Sequence, residues 1–211
     1  MPDHPTPQDP PQADYPPMPW RMRGTLAMGV FPVVQPPAIP DGARPVFPRS
    51  LIVVLVRYLA GTLSYDELIV GSLARHGRRA GLFVHRIWVN DLASLWGGRR
   101  HWGLQKQLAE FGWKDHTFEV VDGGEILAAG SVTPRPPRLP SVSLPLSGFG
   151  RFDDAWLFTT SRLRARWAPA RMELTQWSAR LPALTRPATP LSAVADPFQI
   201  TVPPPARLDA D

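Results

Sequence analysis

The prolines of this chain leave a single long window in which regular structure can run without interruption. Fourteen of the 27 prolines precede residue 49, the other thirteen follow residue 133, and residues 49–133 contain none. Proline removes a backbone donor and fits neither central strands nor helix interiors, so the core elements are expected inside that window. Leu51–Leu59 (LIVVLVRYL) is an apolar run of strand length, followed by strand patterns over Tyr65–Ala74 and Gly81–Asp91 (GLFVHRIWVND). Thr117–Asp122 and Glu125–Val132 flank Gly123–Gly124, a pair that accepts positive φ at both positions and reads as a hairpin turn. Gly97–Gly98 reads as a chain break, and Leu104–Phe111 as a short helix packed through Leu104, Leu108 and Phe111. That helix would leave Lys106 on its exposed side. Beyond the proline-rich link 134–145, alternation over 162–167 and 172–177 adds further strands. The class expected is α+β, mainly antiparallel β, with few short helices.

With 211 residues and 44% hydrophobic side chains, the chain can fill one generous core. One domain is expected over residues 16–202, between a disordered proline-rich tail (1–15) and a loose C-terminal tail (203–211). No segment approaches the roughly 20 apolar residues of a membrane span, and the N-terminus is polar rather than basic and then apolar. A cytoplasmic protein without membrane partners is therefore expected. The absence of cysteine excludes disulfides, thiolate metal sites and cysteine nucleophiles.

The formal charge of +5 raises nucleic-acid binding, but the cations are dispersed. Arg78–Arg79, Arg99–Arg100 and the alternating Arg162, Arg164 and Arg166 are separate groups with no nucleic-acid-binding motif around them. No nucleic-acid partner is expected. Twenty-one arginines against two lysines look like a bias of coding, and they make each lysine conspicuous. The five histidines show no metal-binding spacing such as HExxH, and His85 on a mostly apolar face reads as a hydrogen-bonded core histidine. The glycine groups lack both the P-loop lysine and the dinucleotide fingerprint, and no serine sits in a GxSxG elbow. Neither a metal nor another cofactor is expected.

Three segments carry a resemblance: PPMPWRMRG (16–24), GTLSYDEL (61–68) and HRIWVNDLASLWGGRRHWGLQKQLAEF (85–111). Their order resembles the acetoacetate decarboxylase family. There a Tyr-x-Glu segment precedes a Gly-Arg and then a Pro-Lys-Lys-Leu run whose first lysine is the imine-forming nucleophile. Tyr65-Asp66-Glu67 matches the first element, Gly98-Arg99 the second, and Gln105-Lys106-Gln107-Leu108 the third. Gln107 stands in place of the second family lysine, Gln105 in place of the proline, and Arg100 where an acid is common. With two lysines in 211 positions, a lysine falls on a chosen site by chance about once in a hundred.

The resemblance implies a cone or barrel of strands, homo-oligomers, and a catalytic pair of Lys106 as nucleophile and Glu67 as proton donor or acceptor. Arg23, Tyr65, Arg99, Trp102 and Gln107 are the candidate substrate-binding residues. The expected activity is that of a Schiff-base-forming lyase on a small oxo acid or related carbonyl compound, a decarboxylase or an aldolase or dehydratase. The alternative is a non-catalytic relative that keeps the fold as a small-molecule binding or scaffold protein. A lysine with the ordinary pKa of about 10.4 is neutral to only about 0.04% at pH 7, so imine chemistry demands a site that takes its proton away.

Overall fold

The computed structural model describes residues 14–185 and 191–208. In chain order the elements are β1 (Trp20–Pro32), β2 (Ala43–Pro45), β3 (Ser50–Gly61), β4 (Tyr65–His76), β5 (Arg79–Val89), α1 (Leu92–Trp102), β6 (Lys106–Leu108), β7 (Glu110–Lys114), β8 (Thr117–Asp122), β9 (Glu125–Pro134), β10 (Ser141–Phe152), β11 (Ala155–Trp177), β12 (Leu191–Val202) and β13 (Ala206–Leu208). The strands join in one sheet in the order β10-β5-β4-β3-β1-β12-β11-β9-β8-β7, and β10 pairs a second time with β11. That pairing closes the path from β10 through β5, β1 and β12 to β11 into a ring, so the fold is β-rich and barrel-like, as expected. Within the ring, closure removes the exposed strand edges that an open sheet would present, and β9, β8 and β7 continue the sheet beyond it.

The proline-free window supplies the strands that were expected there. β3 and β4 pair antiparallel through the apolar run, with Val53 opposite Val70 and Leu55 opposite Leu68, and all four side chains are buried. The Gly123–Gly124 turn joins β8 to β9 with φ of 59° and 82°. One core groups Phe31, Leu51, Val53, Leu68 and Trp88. A second groups Trp20, Met22, Tyr65, Trp96, Trp102 and Phe198, and the site described below lies against it.

Three expectations are corrected. Residues 104–111 are not a helix: Lys106–Leu108 is the short strand β6, and the helix lies earlier, over Leu92–Trp102. Gly97–Gly98 does not break the chain but sits within that helix. Glycine costs a helix interior about 1 kcal/mol relative to alanine, and close packing is the reason it is present. A Cβ on Gly97 would lie 2.4 Å from the Trp20 ring, and one on Gly98 would lie 2.5 Å from Cδ and Cε of Lys106. At the C-terminus, Ala206–Leu208 is strand β13, held by Trp156–Phe158 of β11, where a loose tail was expected. Its backbone finds partners on β11 that composition does not reveal. Most of the expected N-terminal tail, residues 1–13, lies outside the described residues, as do residues 209–211 of the C-terminal one. No helix among the described residues is long and apolar enough to cross a membrane.

Candidate active site

A parallel strand pair cannot be joined by a tight turn and needs a crossover; α1 is that crossover between β5 and β6. The helix starts on Asp91, whose carboxylate accepts from the Ser94 backbone N–H at 2.6 Å, a normal N-cap. It ends on Gly103, which takes the left-handed conformation (φ 63°) that glycine adopts without strain. The chain then lays β6 beside β5, with Lys106 opposite Ile87 and Leu108 opposite Val89. On the other side of β5, Glu67 of β4 faces Val89. Lys106 and Glu67, 39 residues apart, therefore hang from strands on either side of β5 and meet across it.

Lys106 is 3% exposed and Glu67 4%. The Lys106 ammonium donates to Glu67 Oε2 at 2.6 Å and to Ser94 Oγ at 3.0 Å, and Nζ stands 5.1 Å from the centre of the Tyr65 ring. Tyr58 approaches the other carboxylate oxygen, its hydroxyl 3.4 Å from Oε1. Burial, and then the Glu67 charge, hold the Tyr58 and Tyr65 hydroxyls well above their ordinary pKa. Both tyrosines are therefore protonated donors beside the carboxylate at any physiological pH.

Lys106 and Glu67 open onto a cavity of about 160 Å³. Trp20, Met22, Ile69, Leu82, Val84 and Trp102 supply much of its apolar wall, and Tyr58, Tyr65, Thr159 and Ser161 bring hydroxyls. Of the residues singled out from sequence, Lys106, Glu67, Tyr65 and Trp102 line it together. Trp102 also ties the wall to the C-terminal segment, since its indole N–H donates to the Pro203 carbonyl at 2.9 Å.

The other three lie outside the lining. Arg23 is exposed on β1, where burial alternates so that Trp20 and Met22 face inward and Arg21 and Arg23 outward. Gln107 follows Lys106 on β6 and so projects to the opposite face of the strand. Arg99 gives Nε and Nη2 to the backbone carbonyl of Lys106 at 2.9 and 2.6 Å, while its guanidinium stands 5.2 Å from the Trp96 ring. Burial lowers its pKa from the ordinary arginine value. The Gly-Arg element thus frames the lysine twice: Gly98 leaves room for its stem and Arg99 forks onto its carbonyl.

Sequence reasoning missed Ser94, Tyr58, Trp20 and Met22. The last two had a signal, the alternation of apolar and basic residues in Trp20-Arg21-Met22-Arg23. Ser94 and Tyr58 had none, because only the packing of α1 and β3 around Lys106 brings them in.

A larger cleft of about 870 Å³ adjoins the site, with Val84, Ile87, Leu104, Phe149 and Gly150 common to both linings. His85 lines it, with Nε2 2.9 Å from Ser72 Oγ. Burial, then the Arg86 charge, lower its pKa to about 4, and its hydrogen bond to the Ala38 backbone acts in the opposite direction. Its ordinary value is about 6.5. Between these values the unfolded chain binds the proton more readily, so stability falls as pH drops from about 6.5 to about 4. Thermal unfolding followed across that window should show a shallower pH slope in His85→Gln than in the parent; an unchanged slope would clear His85 of that role. Among the described residues no cluster of three His, Asp or Glu side chains is placed to hold a metal ion.

The comparisons with known proteins agree with this frame. Residues 1–184 match the family model for acetoacetate decarboxylase (ADC). An acetoacetate decarboxylase from Legionella pneumophila subsp. pneumophila str. Philadelphia 1 superposes with a TM-score of 0.70 at 17% identity, covering 98% of this chain and 93% of its own. The enduracididine biosynthesis enzyme MppR, complexed with pyruvate, gives 0.67 at 14% identity, with 92% and 91% covered. An acetoacetate decarboxylase-like enzyme from Sphingomonas wittichii RW1 gives 0.66 at 14%, with 92% and 94% covered. No curated protein matches the sequence. At these identities the structures speak for the fold alone, but the family model spans most of the chain, and on that ground the chain belongs to the acetoacetate decarboxylase family.

Proposed function

We propose that this protein is an enzyme of imine chemistry, in which Lys106 adds to the carbonyl of a small substrate and Glu67 moves the protons. The observation that carries the reading is the contact between Lys106 Nζ and Glu67 Oε2, 2.6 Å long and buried at the wall of an apolar cavity. Over that distance one proton passes directly from ammonium to carboxylate, leaving a neutral amine and a neutral acid.

The amine lone pair then forms the C–N bond. The carbonyl oxygen leaves as water with two protons, one returned by Glu67 and one from Nζ, and a protonated iminium remains beside the Glu67 carboxylate. The iminium accepts the electron pair of a bond at the α-carbon, which is the common step of decarboxylation, aldol chemistry and dehydration. Glu67 is positioned to remove or return a proton there. Arg99 acts in this reading as a positioning residue, holding the backbone from which the nucleophile projects. Lysine cannot reproduce a two-nitrogen fork, so Arg99→Lys should slow adduct formation about tenfold while Lys106 remains the site labelled. An unchanged rate would remove Arg99 from this role.

Borohydride reduction in the presence of a ketone or aldehyde, followed by peptide mass mapping, tests the reading. A reduced adduct on the peptide carrying Lys106 is expected, and none on Lys114, which is exposed at the end of β7. The absence of an adduct across a panel of carbonyl compounds would leave the Lys106–Glu67 pair as a structural link in a ligand-binding relative.

A further inference from the structure

The charge inside the cavity selects among carbonyl substrates. Of its described lining residues only Glu67 and Lys106 are charged, and they neutralise one another at 2.6 Å. The cations that sequence offered for a substrate carboxylate are engaged or directed elsewhere. Arg21 and Arg23 are exposed on the outer face of β1, and Arg99 is committed to the Lys106 carbonyl. A carboxylate bound here would face the Glu67 carboxylate. Within the cavity's own lining the one positive charge would be the iminium, already balanced by Glu67, and Arg86, Arg151 and Arg180 line the adjoining cleft instead. A buried charge without its own partner is strongly disfavoured.

The remaining polar groups on the wall are hydroxyls. Thr159 and Ser161, two residues apart on β11, present theirs on one face of the strand, and hydroxyls serve a neutral oxygen as well as an anion. The room beside Lys106 and Glu67 is also small, about 160 Å³, and an apolar cavity of about 150 Å³ admits a molecule the size of benzene.

We propose that the cavity takes a neutral ketone or aldehyde with an apolar substituent, up to about the size of benzene, and not an oxo acid. The inference rests on the reading of Lys106 as the imine-forming residue. With no carboxylate on the substrate there is no carbon dioxide to lose, and the bond that yields its electrons is an α-carbon–hydrogen bond. The Glu67 carboxylate takes the α-proton. The C–H electron pair becomes the carbon–carbon double bond of an enamine, and the iminium π electrons return to nitrogen as a lone pair. The acid then returns a proton to the same carbon, or the enamine adds to a second neutral carbonyl in an aldol step. In that step the new alkoxide takes the proton from Glu67, and water releases the product from Lys106.

Exchange of α-hydrogens separates the possibilities without knowledge of a second substrate. The full chain in deuterium oxide is incubated with butanone or cyclohexanone, and in parallel with pyruvate, which approximates butanone in shape with a carboxylate in place of its ethyl group. Loss of the α-proton signal is followed by NMR against Lys106→Met as background. Lys106-dependent exchange of the neutral ketones is expected, with pyruvate slower by about a hundredfold or more. Leu146 lines the cavity and is 46% exposed, so an arginine there keeps its head near water. Leu146→Arg should narrow the difference about tenfold.

Pyruvate exchanging as fast as butanone, or trapped by borohydride as readily, overturns the substrate class while leaving the imine reading intact. Lys106-dependent exchange or trapping with neither class overturns both.

Discussion

Lys106→Met is expected to abolish borohydride-trapped adducts and at the same time to lower the unfolding free energy by about 3–5 kcal/mol, the usual cost of stranding one member of a buried ion pair. The pair is well suited to show it, because the side chains of Lys106 and Glu67 are 4% and 5% exposed. Removing the ammonium leaves Glu67 Oε2 without its 2.6 Å donor, while Tyr58 reaches only the other oxygen, at 3.4 Å. Adding Glu67→Leu to Lys106→Met replaces the whole pair by apolar groups of similar volume, which is often neutral or stabilising. Urea unfolding should therefore place the double variant close to the parent protein and well above the single one, with adduct formation absent from both. A double variant as unstable as the single would mean that the pair is not the origin of the loss. Recovery of stability without recovery of labelling separates the pair's contribution to the fold from its contribution to chemistry.

Gly98→Ala should reduce the rate of adduct formation about a hundredfold, the scale expected when a reacting group is displaced by roughly 1 Å. The added Cβ would sit 2.5 Å from Cδ and Cε of Lys106, closer than carbon atoms pack, and the flexible lysine stem is what yields. Taken alone, alanine favours the helix by about 1 kcal/mol over glycine, so α1 itself is not weakened. The expected signature is a large loss of labelling with a melting temperature that falls little. Gly97→Ala provides the contrast, since its Cβ meets the Trp20 ring at 2.4 Å and not the lysine; its effect should be chiefly on stability. A Gly98→Ala protein that labels at the parent rate would show that the lysine has room to spare.

Legibility from sequence followed the range of the interactions involved. The strands β3, β4, β5 and β8 were readable because their apolar runs and the Gly123–Gly124 turn are local signals, and the absence of proline from residue 49 to 133 marked where they lie. The helix was misplaced for a reason equally physical. Leu104, Leu108 and Phe111 have helical spacing, but β5 offers Lys106–Leu108 a parallel partner. The tolerance of Gly97 and Gly98 within α1 depends on Trp20 and Lys106, neither of which is a neighbour in sequence. Tertiary contacts overrode propensity in both places.

At the site, the sequence by itself determined which residues stand out: a lysine where lysine is rare, a glutamate 39 positions before it, and the Gly98-Arg99 pair between them. Only the tertiary structure decided what each one does. Burial of Lys106, its contact with Glu67 across β5, and the direction of Arg23, Arg99 and Gln107 all depend on strand pairing and on which face a side chain takes. A change of one residue in register reverses every such face, and the composition of a segment carries no record of that register.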